Sequence, residues 1–171
     1  PKEILIIQDG HVNKELIDLV DYYVTSFDNI RLLKNSTKKY LAYALNLSIL
    51  ESSTKYYARM DSDDIAHPSR LEKQVCFLEN NPKIEILGTW AYEFENNYQT
   101  EQIFLKRTPT CEKLIEAFFH YRNPLIHPSV VFRRSVFARL GLYNTKYKFD
   151  QDLDLWARAL NLDIFIANIP E

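Results

Sequence analysis

Glycine is scarce in this sequence: Gly10, Gly88 and Gly141 are the only three in 171 residues, and they lie far apart. A phosphate-cradling loop needs clustered glycines so that backbone N–H groups can approach the anion. Neither a Walker loop nor a G-x-G-x-x-G turn can be built here. A chain of this kind that handles a nucleotide diphosphate must neutralise its charge by other means, and a metal ion is the obvious one. An excess of one charge is also lacking, with 21 Lys and Arg against 23 Asp and Glu. That argues against a nucleic-acid partner, whose binding rests on clustered basic residues. No apolar run approaches the roughly 18–20 residues that span a bilayer. Pro1-Lys2 lead into a strand-like stretch without the pattern of a signal peptide. The two cysteines, Cys76 and Cys111, have no C-x-x-C spacing and fall in apolar helical patterns. Both read as reduced core residues in a cytosolic setting.

What is present is a well-packed composition, 46% apolar and 13% aromatic, in a chain of a length that suits one domain. Glu3 to Ile7 is a β-branched apolar run, read as a buried parallel strand ending at the turn Gln8-Asp9-Gly10. Leu16, Leu19, Val20 and Tyr23 recur at helical spacing. A strand over 30–33, a helix over about 38–52 and a strand over 55–60 follow. Pro68 is expected to open a helix whose buried stripe is Leu71, Val75 and Leu78. Residues 84–94 read as one long strand, with 101–105 as its partner. A helix around 114–118, a strand at 130–132, an amphipathic helix marked by Leu153, Trp156, Ala157 and Leu160, and a strand over 164–167 complete the pattern. Alternation of strand and helix in the first half implies parallel pairing with right-handed crossovers. The expectation is one α/β domain over 1–171, with a nucleotide-binding half at about 1–66 and an acceptor-side half at about 84–171.

The third strand runs into Asp61-Ser62-Asp63-Asp64. Ligands of open α/β sheets bind beyond the carboxyl ends of the strands, and residues two apart on an extended backbone share a side. Asp61 and Asp63 can therefore face one cavity. Crowded carboxylates repel unless a cation or strong donors compensate, and hard oxygen ligands without Cys or a His pair favour Mg²⁺ or Mn²⁺. The plainer alternative is an Asp-rich turn that caps a helix. An EF-hand is excluded: Ile65 and Ala66 take its fifth position and its glycine position, and Pro68 interrupts the loop.

The fifteen residues from Tyr57 to Leu71, YARMDSDDIAHPSRL, resemble the D-x-D region of family 2 glycosyltransferases. The likeness is greatest to bacterial enzymes that build capsule, exopolysaccharide or lipopolysaccharide chains. Three other stretches agree. Ile6-Ile7-Gln8-Asp9-Gly10 is similar to the family's second strand, which places Asp9 on the base or ribose. Asn123 to Ser135, containing His127-Pro128-Ser129, is similar to a segment before the acceptor side. Phe149-Asp150-Gln151-Asp152 is similar to the family's "ED" motif, with Gln151 in place of the usual Glu. On the residues alone, Asp9 is equally a simple turn residue. His127 is either a structural histidine or a contact to acceptor, phosphate or metal. Asp152 is either a base or an acid satisfying a helix dipole.

The resemblance implies a GT-A fold, a Rossmann-like mixed sheet flanked by helices. It implies that the chain covers the middle of such an enzyme and is truncated at both ends. Tyr40 stands where the family often has glycine, so the loop at 35–40 is expected to be built differently. The implied activity is metal-dependent, inverting transfer of a sugar from a nucleotide sugar, a UDP-sugar by expectation, to a saccharide or lipid-linked acceptor. Asp61 and Asp63 would hold Mn²⁺ or Mg²⁺, Asp9, Arg59, Asp61 and His127 would bind the nucleotide sugar, and Asp152 would be the general base. The expected location is cytoplasmic, with peripheral contact at the inner membrane face. A sugar-nucleotide nucleotidylyltransferase and a silent nucleotide-binding module are the alternatives. The reading demands that the carboxylates at 61 and 63 converge, and it fails if they point into solvent or are locked to arginines with no cavity between them and Asp152.

Overall fold

Ile4–Asp9 (β1) and Ile30–Asn35 (β2) pair in parallel, from Ile4 opposite Ile30 to Asp9 opposite Asn35. The structure is a computed structural model that describes residues 1–95 and 103–171. It divides into two compact units, and these strands form the sheet of the first, which comprises Pro1–Lys55 and Gly141–Leu155. A parallel pair needs a crossover, and Lys14–Ser26 (α1) supplies it. Asn13 caps α1 by accepting a hydrogen bond from the Leu16 N–H at 2.9 Å. The expected stripe of Leu16, Leu19 and Tyr23 forms but stays exposed. Tyr40–Glu51 (α2) packs against β1 and buries Ala42, Ala44, Leu45, Ser48 and Ile49. Asn46 fastens the 141–155 segment into this unit. Its amide donates to the Tyr143 carbonyl and accepts from the Tyr143 N–H, each at 2.8 Å.

The second unit comprises Tyr56–Leu140 and Trp156–Glu171. Its strands are Tyr56–Ala58 (β3), Ile86–Thr89 (β4), Ala91–Glu93 (β5), Phe104–Lys106 (β6), Val131–Arg133 (β7) and Ile166–Ile169 (β8). A mixed sheet runs in the order β3-β7-β4-β8, with β7 antiparallel to both β3 and β4, and β4 parallel to β8. Every residue of β4 and β8 is buried. The mixed α/β architecture expected from the sequence is present. The parallel pairing implied for the first half holds for β1 and β2 but not for β3, which pairs antiparallel with β7 in another sheet. Its partner comes from more than seventy residues away, beyond what local periodicity can report.

The single strand expected over 84–94 is two strands. The chain leaves the central sheet at Trp90, whose indole N–H donates to the Thr108 carbonyl at 2.7 Å, and β5 then pairs with β6. The partner expected at 101–105 lies partly outside the described residues.

The helices of the second half are Arg70–Asn80 (α3), Glu112–Phe119 (α4), Phe137–Leu140 (α5) and Gln151–Asn161 (α6). Pro68 sits in the turn before α3, so the helix begins at Arg70. The buried residues of α3 are Gln74 and Leu78, with Leu71 and Val75 half-buried. In α6 the buried residues are Gln151, Leu155, Trp156 and Ala159, while Leu153, Ala157 and Leu160 are half-buried. Both cysteines are exposed, against the expectation of core positions. Cys76 lies two residues from both Gln74 and Leu78, which turns it to the other face of α3. Leu78, Leu87, Val131, Ala167 and Ile169 form the core beside α3. Trp156 stacks on Phe132, with ring centroids 5.9 Å apart and planes 19° apart.

Candidate active site

The acidic loop begins where β3 ends. The Arg59 N–H donates to the Val130 carbonyl at 2.9 Å, and the Arg59 carbonyl accepts from Arg70 Nη2 at 2.8 Å. Both backbone groups of the residue before the loop are thereby fixed. Arg70 is itself held by α3: its Nε donates to Gln74 Oε1 at 3.1 Å. Gln74, fully buried, donates to the carbonyls of Leu87 at 3.0 Å and Ser129 at 2.8 Å. The chain of contacts ties the loop to β4 and to the short 3-10 turn His127–Ser129. A buried amide with all of these bonds made fixes one arrangement of its neighbours.

Beyond Arg59 the chain turns, and the Asp64 N–H reaches the Asp61 carbonyl at 3.4 Å. Carboxylate oxygens of Asp61, Asp63 and Asp64 all lie within 4.8 Å of one another. Asp61 is half-buried and Asp63 and Asp64 are exposed; the Asp64 pKa is raised from its ordinary value, first by partial desolvation and then by the charges of Asp61 and Asp63. Three hard oxygen donors on one short turn fit Mg²⁺ or Mn²⁺ better than zinc. Asp61 is not unpaired, however. Arg59 Nη2 donates to its Oδ1 at 2.5 Å, and Arg59 is only 3% exposed. The sequence reading did not expect this arginine pairing. It engages one oxygen of Asp61 and leaves the convergence of the three carboxylates intact.

His127 stands in the 3-10 turn, 8% exposed, with its ring edge-on to Trp156 at 5.9 Å and 84°. Burial, helped by the Arg59 charge, lowers its pKa to about 3, so the ring is neutral at pH 7. Arg70 is likewise lowered, chiefly by burial.

In the first unit, Asp9 at the end of β1 holds the loop that starts α2. Its carboxylate accepts from the Lys39 N–H at 2.9 Å, the Tyr40 N–H at 2.8 Å and Asn35 Nδ2 at 3.1 Å. These bonds hold Tyr40 at φ +68, a left-handed conformation that glycine adopts freely and tyrosine does not. At Tyr40 the loop expected to be built differently has the backbone conformation that suits glycine. Asp9, Lys38, Tyr40, Lys148 and Gln151 are among the residues lining an open pocket of about 600 Å³. Asp152, half-buried in the first turn of α6, follows directly on the pocket residue Gln151.

Arg70, Gln74 and Tyr40 were not singled out as site residues by the sequence. The signal for Gln74 was available: it is a lone amide at a core-facing position of α3, one turn after an arginine.

The fold is of the GT-A type. The sequence pattern of glycosyl transferase family 2 matches residues 1–141, and the chain belongs to that family. It is 30% identical over 169 residues to the amylovoran biosynthesis glycosyltransferase AmsE of Erwinia amylovora, covering 99% of this chain and 62% of the relative. It is 31% identical over 160 residues to the UDP-Gal:alpha-D-GlcNAc-diphosphoundecaprenol beta-1,3-galactosyltransferase of Escherichia coli, covering 94% of this chain and 57% of that protein. The chain thus spans about 60% of the length of these relatives. The fold matches that of S. aureus TarS 1-349 in complex with UDP, with a TM-score of 0.76 at 16% identity, over all of this chain and 50% of that one.

Proposed function

We propose that the chain carries the donor site and general base of a metal-dependent, inverting glycosyltransferase. It moves a sugar from a UDP-sugar to a saccharide or lipid-linked acceptor in surface-polysaccharide synthesis. The carrying observation is the convergence of Asp61, Asp63 and Asp64 within 4.8 Å at the end of β3, in a chain of this family. A Mg²⁺ or Mn²⁺ ion bound there supplies Lewis-acid stabilisation of charge on the leaving diphosphate. Asp61 and Asp63 hold the ion, and Arg59 fixes the orientation of Asp61. Asp9 serves the nucleotide side by shaping the loop at 39–40, and His127 supports the donor site as a neutral packed ring. Asp152 takes the proton of the acceptor hydroxyl as that oxygen attacks the anomeric carbon. One displacement inverts the configuration, and no second carboxylate forms a glycosyl intermediate.

UDP as the nucleotide is supported by the name of the E. coli relative and by the UDP complex of TarS. The diphosphoundecaprenol in that relative's name supports a lipid-linked acceptor. A lipid-linked acceptor of that kind would be met peripherally at the inner membrane face, with the enzyme in the cytoplasm; among the described residues no helix is long and apolar enough to cross a membrane. Turnover of UDP-sugars with Mn²⁺ tests the assignment, wild type against Asp152→Asn. Loss of a general base lowers turnover by about 10²–10⁴-fold while UDP affinity is kept. Equal turnover in the two forms removes Asp152 from the mechanism, and no turnover of any UDP-sugar with Mn²⁺ removes the reading as a whole.

A further inference from the structure

We infer that Arg59 is the resident counter-cation of the carboxylate loop, holding one oxygen of Asp61 and competing with an incoming divalent ion for that carboxylate. The inference rests on the reading of Asp61 to Asp64 as the metal centre. Its basis is the pairing of a nearly fully buried guanidinium with one oxygen of a carboxylate that the cation also needs. Arg59 is not a surface lysine-like charge that can swing away. Its backbone is bonded on both sides, and its Nε and Nη1 atoms are buried with no acceptor among the described residues. A buried cation with two unused donors depends on its single carboxylate contact, because an unpaired charge inside a protein is strongly disfavoured.

Two arginines, Arg59 and Arg70, face three carboxylates here. The cluster is therefore close to balanced before any metal arrives, with one negative charge in excess. A divalent ion entering it reverses that sign beside a guanidinium that cannot leave. Arg59 orients Asp61 and also weakens the grip of the loop on a free cation. A purely orienting arginine and a competing one predict opposite signs when its charge is removed.

The test is Mn²⁺ binding to the nucleotide-free protein, read by electron paramagnetic resonance, for wild type, Arg59→Met and Arg59→Lys. Methionine keeps the unbranched apolar stem and removes the charge, and Asp61, with a side chain 36% exposed, can be solvated without it. The expected result is Mn²⁺ affinity raised about tenfold in Arg59→Met, the scale of one charge-assisted hydrogen bond, with Arg59→Lys near wild type. Unchanged or weaker Mn²⁺ binding in folded Arg59→Met overturns the inference and leaves the metal centre standing. Absence of Mn²⁺ binding in every form, with or without UDP, overturns the metal centre as well. Should Arg59→Met not fold, Arg59→Gln is judged by the same criterion.

Discussion

Replacement of Gly88 by alanine tests the packing beneath the site. Gly88 lies in β4 opposite Asn168 of β8. A Cβ at position 88 would collide with Asn168 Oδ1 and come within 3.3 Å of its Cγ and 3.4 Å of Leu125 Cδ2. Asn168 cannot retreat cheaply. It is 2% exposed, and its amide nitrogen donates to the carbonyls of Pro109 at 2.6 Å and Pro124 at 3.0 Å. Overpacking costs about 1–3 kcal/mol, and each buried carbonyl left without its donor costs about 1–3 kcal/mol more. A total of about 3 kcal/mol is expected, which lowers the melting temperature of a domain this size by about 6–12 °C. Thermal unfolding followed by circular dichroism measures it. Adding Asn168→Ala removes the collision, so the double variant should be less destabilised than the sum of the two single ones by at least about 1 kcal/mol. A melting temperature for Gly88→Ala within 2 °C of wild type, taking about 2 °C as the shift from half a kcal/mol, refutes the reasoning.

Other expectations concern single residues. Tyr40→Gly removes a tyrosine from φ +68 and loses its contacts with the Lys38 and Lys148 ammonium groups, 5.9 and 5.0 Å from the ring. Relief of about 1–2 kcal/mol of backbone strain is offset by two exposed cation–π contacts of about 0.5–1 kcal/mol each, so a melting temperature within about 2 °C of wild type is expected, and a fall of more than about 4 °C contradicts the strain argument. His127, with its pKa lowered to about 3, stays neutral in the folded state while the unfolded chain takes up a proton below about pH 6.5. Its contribution to stability is therefore complete above pH 6.5 and is lost as pH falls toward 3, by about 1.4 kcal/mol per pH unit. Urea unfolding at pH 7 and pH 5 should show a loss about 2 kcal/mol smaller in His127→Gln than in wild type. An identical pH dependence in the two forms contradicts the burial of a neutral ring.

The sequence was most informative where chemistry and local pattern coincide. The strand-to-acid-loop transition at 56–64, the helix that starts at Gln151 with Asp152 in its first turn, and the turn after β1 were all legible, because each rests on neighbouring residues. Long-range pairing was not. Nothing local in Tyr56–Ala58 signals that its partner is Val131–Arg133 in the opposite direction, or that 84–94 changes sheets at Trp90. The arginine on Asp61 was hidden for a different reason. Arg59 and Asp61 lie two apart with no turn between them, so the same-side spacing applied to Asp61 and Asp63 holds for this pair as well, and spacing alone does not say which partner a carboxylate takes. Gln74 shows the converse, since a polar residue amid an apolar stripe marks a buried network before its partners are known.

The central claim is that Asp61 and Asp63 hold a cation on the diphosphate of the donor. Calorimetric titration of UDP into the protein with Mn²⁺ and with a chelator, for wild type and for the double variant Asp61→Asn with Asp63→Asn, addresses it most directly. The account predicts tight binding only for wild type with Mn²⁺, and weak binding of equal strength in the other three cases. UDP affinity that is the same with and without the ion, or unaltered by the double substitution, contradicts it.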